Sequence, residues 1–186
     1  MSISTNDLKN GMALNLPEGL MTVIEFQHVK PGKGGAFVRT KLRNYRTGAV
    51  FERTYRADEK LTLAIIDKKE MQYLYSDGES MTFMDNESYE QIGVDPTALG
   101  DATKYIKEGD TVILPTYQGQ VVGVELPAAV ELTVAQTDPG VQGDRVSGAK
   151  KPATLETGAV VQVPLFVETG DRVKVDTRTG EYLTRV

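Results

Sequence analysis

Hydrophobic and polar positions alternate with a period of two in short runs, and turn residues interrupt the runs every eight to twelve positions. That texture predicts half-buried β-strands in a barrel or sandwich rather than crossover units. The strands read from it cover residues 21–28, 36–43, 50–56, 71–76, 80–84, 111–117, 120–126, 130–137, 159–167, 172–176 and 181–186. Breaks fall at Pro31-Gly32, Thr47-Gly48, Asp77-Gly78, Gln118-Gly119, Pro139-Gly140 and Thr179-Gly180. Residues 73–80 read as a hairpin, because Asp77-Gly78 supplies the positive φ angles of a tight turn. Only 87–92 and 96–107 carry a brief helical pattern, with Pro96 suited to a first turn. The fold class predicted is all-β.

The pattern divides the chain in two places. Near 65–68 an apolar strand gives way to Asp67-Lys68-Lys69-Glu70, and Pro127 separates two alternating runs. Domains are therefore expected at 1–65, 66–127 and 128–186, each the size of a minimal five-stranded barrel. Modules that small are marginal alone, so neighbouring barrels are expected to support one another. Thr47-Gly48-Ala49-Val50 echoes Thr157-Gly158-Ala159-Val160, which is too short to count as a repeat.

Charge sharpens this division. Over 186 residues, 21 Lys and Arg face 26 Asp and Glu, for a net charge of −5. Taken whole, that argues against a nucleic-acid binder. Residues 1–65, however, carry 10 basic and 6 acidic groups, net +4, whereas 66–127 carry 4 and 12, net −8. Residues 128–186 carry 7 and 8, net −1.

Composition removes several chemistries. The absence of Cys excludes disulfides, thiolate metal sites and a cysteine nucleophile. The single His, His28, would have to carry any histidine-dependent catalysis alone. No run approaches the roughly 18 apolar residues of a membrane span, and the N-terminal residues lack the apolar centre of a secretory signal. A cytoplasmic protein without membrane association is expected.

The segment 28–56 is the richest in candidate chemistry. It holds Lys30, Lys33, Arg39, Lys41, Arg43, Arg46, Arg53 and Arg56 against Glu52 alone. Alternation puts Arg39, Lys41 and Arg43 on one strand face at intervals of about 7 Å, with Val38, Thr40 and Leu42 on the other. Such a rail suits a phosphate backbone, and a merely solvated sheet face fits equally well. Ahead of it, Pro31, Gly32, Gly34 and Gly35 surround Lys33, so that a hairpin tip can hold the lysine far from its barrel. The spacing is not that of a phosphate-binding Walker loop, and an ordinary solubilising tip is the competing reading. Elsewhere, His28 is expected to be packed or hydrogen-bonded. Asp85, Glu87 and Glu90 match no calcium loop and are expected on a solvated face. Tyr73, Tyr75 and Phe83 are expected in a core, although aromatic residues of this kind can stack bases. No catalytic constellation and no metal-ligating set emerges, so no enzyme, cofactor or metal is expected.

Taken together, Pro31-Gly32-Lys33-Gly34-Gly35-Ala36-Phe37, Tyr73-Leu74-Tyr75 and Phe83-Met84-Asp85 resemble the bacterial elongation factor P family. The stretch 151–170 carries the resemblance furthest. There Lys151-Pro152-Ala153 is followed by Gly158, Val161, Val163-Pro164, Val167 and Gly170 at the family's spacing. The likeness runs from residue 3 to 186. It implies three consecutive small β-barrels in an L shape that mimics tRNA, an SH3-like or KOW-like barrel followed by two oligonucleotide-binding (OB) folds. It further implies a monomeric factor that binds the 70S ribosome beside peptidyl-tRNA and relieves stalling at consecutive prolines. Lys33 matches the tip residue that reaches the CCA end at the peptidyl-transferase centre. Lys30, Arg39, Lys41 and Arg43 would then contact tRNA and ribosomal RNA.

Gly143-Asp144-Arg145 matches a third-domain turn that approaches the exit-site codon, but Arg145 replaces the family's Thr, which puts that contact in doubt. Family members with Arg at the tip are rhamnosylated, a route Lys33 excludes. Many with Lys carry an extended side chain, and some work unmodified with a proline at the position of Gly35. The double glycine here leads to the expectation that Lys33 is extended by a lysine-modifying enzyme, while a functional bare lysine stays open. A general RNA-binding or RNA-chaperone barrel protein is the alternative. It would share the basic first domain but would not need the 151–170 signature.

Overall fold

The structure, a computed structural model, describes residues 1–140 and 148–186. The described strands form three sheets. The first comprises β1 (Ser2–Ser4), β2 (Ala13–Leu16), β3 (Gly19–Val29), β4 (Phe37–Asn44), β5 (Val50–Arg56) and β6 (Lys60–Ala64), in the order β1-β6-β2-β3-β4-β5. The second comprises β7 (Asp67–Ser76), β8 (Met81–Asp85), β9 (Gln91–Val94), β10 (Thr111–Tyr117) and β11 (Gln120–Val121), ordered β11-β10-β7-β8-β9. The third comprises β12 (Ala129–Thr137), β13 (Lys150–Leu155), β14 (Val160–Pro164), β15 (Arg172–Asp176) and β16 (Tyr182–Arg185), ordered β14-β13-β12-β15-β16. The all-β class thus holds. By packing, the chain forms two compact units, residues 1–69 with 114–123 and residues 70–113 with 124–186.

Alternation makes the first core. Leu14, Met21, Val23, Val38 and Leu42 are buried on one face of the first sheet. Each such side chain contributes about 1.5–3 kcal/mol by leaving water. Two buried threonine hydroxyls share this interior and are satisfied. Thr40 Oγ1 donates to the Arg53 carbonyl at 2.7 Å, and Thr5 Oγ1 donates to the Arg56 carbonyl at 3.0 Å. In the third sheet the same alternation buries Leu132, Val134, Ala153, Leu155, Val161, Val163, Val173 and Val175.

Several elements differ from the sequence reading. Residues 87–92 are not helical: Asp85 closes a turn and β9 follows it. Residues 96–107 hold only a single α-turn, α1 (Pro96–Leu99), continued as a 3-10 segment over Gly100–Tyr105. Asp95 caps that turn by accepting from the Thr97 amide at 2.9 Å. The strand expected over 120–126 stops at Val121. Just beyond it Gly123 lies so near the Tyr45 carbonyl that a Cβ would sit 3.1 Å from the oxygen. Strands β1, β2, β9 and β13 are additional, and β6 is the apolar strand that ends before residue 65. In β13 the buried inward residues are Lys151, Ala153 and Leu155. Lys151 buries its aliphatic stem there while its Nζ donates to the Asp138 carbonyl.

Tyr75 is a second correction. Tyr73 and Phe83 are buried with ring centroids 5.3 Å apart, but Tyr75 is 51% exposed. A bulge between Tyr73 and Tyr75 adds one residue to β7 and turns the later side chain to the other face. Asp77-Gly78 lies in a four-residue turn, not a two-residue one. Asp77 Oδ1 accepts from the amides of Glu79 at 2.9 Å and Ser80 at 2.8 Å, and Gly78 alone takes positive φ, +94°.

One five-residue turn recurs in the sequences Asn44-Tyr45-Arg46-Thr47-Gly48 and Asp176-Thr177-Arg178-Thr179-Gly180. In each, the first side chain accepts from the third and fourth amides, and the final glycine amide donates back to the first carbonyl, at 2.9 Å and 2.8 Å. Gly48 and Gly180 hold φ near +72° and +73°. Asp85-Asn86-Glu87-Ser88-Tyr89 makes the same bonds, with Tyr89 at φ +61° where the other two carry glycine. Asp85 is therefore a buried turn-closing group and not part of a solvated face, whereas Glu87 and Glu90 are exposed.

Candidate nucleic-acid interface

The hairpin of β3 and β4 projects the loop 30–36, closed by the pair Val29 and Phe37. Residues 30–35, including Lys30, Pro31, Gly32, Lys33, Gly34 and Gly35, are all exposed. A Cβ at Gly32 or Gly35 would meet nothing within 4 Å, so the tip has open space around it. Gly34 holds φ +108°, and a Cβ there would touch only the Pro31 ring, at 3.9 Å. That backbone conformation is costly for any residue with a side chain. Lys33 is the apex of the loop by register, four residues from each member of the closing pair Val29 and Phe37.

Below the loop, the register of β3, β4 and β5 fixes what the outward face carries. Arg39 is flanked by Gln27 and Thr54, Lys41 by Glu25 and Glu52, and Arg43 by Thr22 and Val50. Phe37 and Arg56 form the row nearest the loop. The Arg39 guanidinium sits over the Phe37 ring, 5.9 Å from its centroid. A shallow hollow of about 210 Å³ opens among Glu25, Gln27, Arg39, Lys41 and Glu52. Arg39, Lys41 and Arg43 thus share one exposed face, as the alternation requires.

The remaining basic residues of the segment go elsewhere. Lys30 and Lys33 belong to the loop and Arg46 to the turn after β4. Arg53 lies on the opposite face, paired with Glu18 and stacked over Tyr55 at 5.3 Å. The row of Lys41 had no sequence signal, because Glu25 precedes the basic segment and reaches it only through strand pairing.

His28 is exposed and meets Phe26 edge-on, with ring centroids 5.6 Å apart. Tyr55 carries the one buried side-chain polar atom without a hydrogen-bond partner among the described residues. Burial pushes its hydroxyl pKa up. The Arg53 guanidinium opposes that shift, and Glu18 and Glu59 add to it. Among the described residues no group of three or more His, Cys, Asp or Glu is placed to hold a metal. No helix among them is long and apolar enough to cross a membrane. The codon-loop expectation for Gly143, Asp144 and Arg145 lies outside the described residues.

Three family models match the chain. They are the elongation factor P KOW-like domain over residues 4–61, the elongation factor P OB domain over 66–124, and the elongation factor P C-terminal domain over 130–185. Among curated proteins, elongation factor P of Pelotomaculum thermopropionicum is 58% identical over 184 residues, covering 99% of this chain and all (100%) of the relative. Elongation factor P of Moorella thermoacetica is 55% identical over 183 residues, covering 98% and 99%. Among solved structures, translation initiation factor 5A from Methanococcus jannaschii superposes with a TM-score of 0.52 at 22% identity, covering 67% of this chain and 94% of that one. A translation initiation factor 5A family protein from Naegleria fowleri gives 0.53 at 18% identity, covering 68% and 98%. These two similarities speak to the fold alone.

Proposed function

The chain belongs to the elongation factor P family, and on that premise we propose that it binds the ribosome beside peptidyl-tRNA and speeds peptide-bond formation at consecutive prolines. The observation that carries this reading is the glycine-bounded loop, which holds Lys33 exposed at its apex above a face bearing Arg39, Lys41 and Arg43. In this proposal the face grips tRNA and ribosomal RNA phosphates, and the tip reaches the CCA end. Three barrels, at 1–65, 66–127 and 128–186, divide these tasks. The strongly acidic middle barrel discourages indiscriminate RNA binding.

The physical logic is positional. Proline is a secondary amine whose ring fixes φ and removes the N–H, so consecutive prolines leave the reacting ends poorly aligned. Holding two reactants in attack geometry lowers a barrier by several kcal/mol, up to about 7–11 kcal/mol in ideal systems. Lys33 has only to fix the CCA end; acid–base work stays with the ribosome, and the protein is a translation factor and not an enzyme. The double glycine leaves the tip backbone free, and an extension of Lys33, installed by a lysine-modifying enzyme, supplies reach and donors that offset this freedom. Co-sedimentation with 70S ribosomes, with and without peptidyl-tRNA in place, tests the proposal. Binding strengthened by peptidyl-tRNA supports it. Equal binding to ribosomes and to free RNA would instead favour a general RNA-binding protein.

A further inference from the structure

The outward face of β3, β4 and β5 is not a continuous basic rail. Counting the rows that the register defines, the four cations Arg56, Arg39, Lys41 and Arg43 share the face with two carboxylates, Glu25 and Glu52. Both carboxylates stand in one row, directly across from Lys41 on either side. Cross-strand partners hold their Cβ atoms about 4.5–5.5 Å apart. The row at Lys41 therefore carries net negative charge, whereas the rows of Arg39 and Arg43 carry one positive charge each and no carboxylate. All of Glu25, Lys41 and Glu52 are exposed, and the hollow of about 210 Å³ opens between them. Among the described residues, the ion pairs within 4.0 Å leave Arg39, Lys41 and Arg43 uncommitted.

We propose that Glu25 and Glu52 are specificity-determining residues of the RNA-binding face. They repel phosphate at the centre of the face, so that only a backbone whose phosphates fall at the Arg39 and Arg43 rows, with a non-phosphate group over Lys41, docks fully. The inference rests on the proposal that this face contacts RNA. An unstructured polyanion can slide its phosphates freely and gains from any uniform positive surface. A fixed site, such as a bound tRNA, presents its phosphates in one arrangement. Two carboxylates on the centre line penalise the first partner at every register and the second only where a phosphate coincides with them. They therefore trade affinity for discrimination.

The test compares binding of a short unstructured RNA, and of 70S ribosomes carrying peptidyl-tRNA, across four proteins. These are the wild type, the Glu25→Gln/Glu52→Gln double variant, the Arg39→Ala/Arg43→Ala double variant, and a Glu168→Gln/Glu181→Gln control that makes the same net-charge change at exposed positions outside the first sheet and outside the acidic middle segment. Two carboxylates about 7 Å from a phosphate, in water and screened by salt, imply that the Glu25/Glu52 variant binds unstructured RNA about three- to ten-fold more tightly at low ionic strength. The gain shrinks as salt rises, and the ratio of ribosome to free-RNA affinity falls. Unchanged RNA binding in that variant, or an equal gain in the Glu168/Glu181 control, overturns the role of Glu25 and Glu52 while the RNA-binding face stands. Undiminished ribosome binding by the Arg39/Arg43 variant removes the face itself, and this proposal falls with it.

Discussion

Replacing Gly34 by alanine separates the conformation of the tip from its packing. Gly34 holds φ +108°, and a Cβ there would make only an ordinary contact with the Pro31 ring at 3.9 Å. No clash contributes, so the cost is the backbone term alone, about 1–2 kcal/mol. Gly35 offers the internal control. Its φ is not in the left-handed range and its Cβ would meet open space, so alanine fits without strain. Alanine there also trims the freedom of the unfolded chain by about 0.4–1 kcal/mol. Among the described residues only Pro31 of the same loop lies within 4 Å of the Gly34 Cβ position, so the Gly34→Ala loop relaxes into another conformation and the melting temperature barely moves. The apex geometry is then populated about five- to thirty-fold less, since 1.4 kcal/mol corresponds to a factor of ten. The assay is synthesis of a Pro-Pro-containing peptide in reconstituted translation at limiting factor, beside thermal melting of each variant. Gly34→Ala should lose activity by that factor with its melting point kept, and Gly35→Ala should retain most activity. Wild-type activity in Gly34→Ala, or equal loss in both, would refute the reasoning.

The recurring five-residue turn predicts stabilities. Gly48→Ala should cost about 1–2 kcal/mol from backbone strain alone, and Gly180→Ala more, because its Cβ would lie 2.9 Å from the Tyr105 hydroxyl; Tyr89→Gly should be neutral to stabilising, by up to about 1 kcal/mol, all read as urea midpoints. The Asp77 and Asp176 carboxyls are held below the ordinary 3.8, Asp77 by the amides of Ser80 and Glu79, Asp176 chiefly by the Arg178 amide with Thr179 and the Arg178 guanidinium adding. Because the folded values are depressed, the stability these groups contribute is fully present above pH 3.8 and is lost as pH falls through the folded values; side-chain NMR titrations ending at or above 3.8 would contradict this. Mass spectrometry of the peptide spanning Lys33, from protein purified out of its native host during growth, should show added mass on the lysine; only unmodified peptide at full recovery would refute the extension.

Much of the candidate interface is legible in the sequence because a strand has a strict period of two. Once β4 is recognised, Arg39, Lys41 and Arg43 must share a face and Val38, Thr40 and Leu42 the other. The loop was legible because glycine and proline declare their backbone preferences. What escaped the sequence depends on partners distant along the chain. Glu25 and Glu52 flank Lys41 only through pairing across three strands, and the bulge between Val23 and Glu25 sets which residue of β3 arrives there. Tyr75 departs from its expected core position for the same reason, since one extra residue in β7 reverses the side-chain alternation. Lys151 hides a strand because its inward position looks polar until its stem is buried and its amine bonded. The twin turns at Asn44 and Asp176 had a sequence signal, Arg-Thr-Gly at the same offset, that hydrophobic periodicity does not register.

The central claim is that Lys33 acts on the ribosome from a tip that the fold does not need. Synthesis across a run of consecutive prolines in reconstituted translation, comparing wild type with Lys33→Ala, tests it most directly. Lys33 is exposed and its loop packs against nothing at Gly32 or Gly35. The substitution should therefore change stability by less than about 0.5 kcal/mol, leave ribosome co-sedimentation largely intact, and abolish the stimulation. Pro-Pro synthesis undiminished by Lys33→Ala, with the variant folded and bound, would contradict the account.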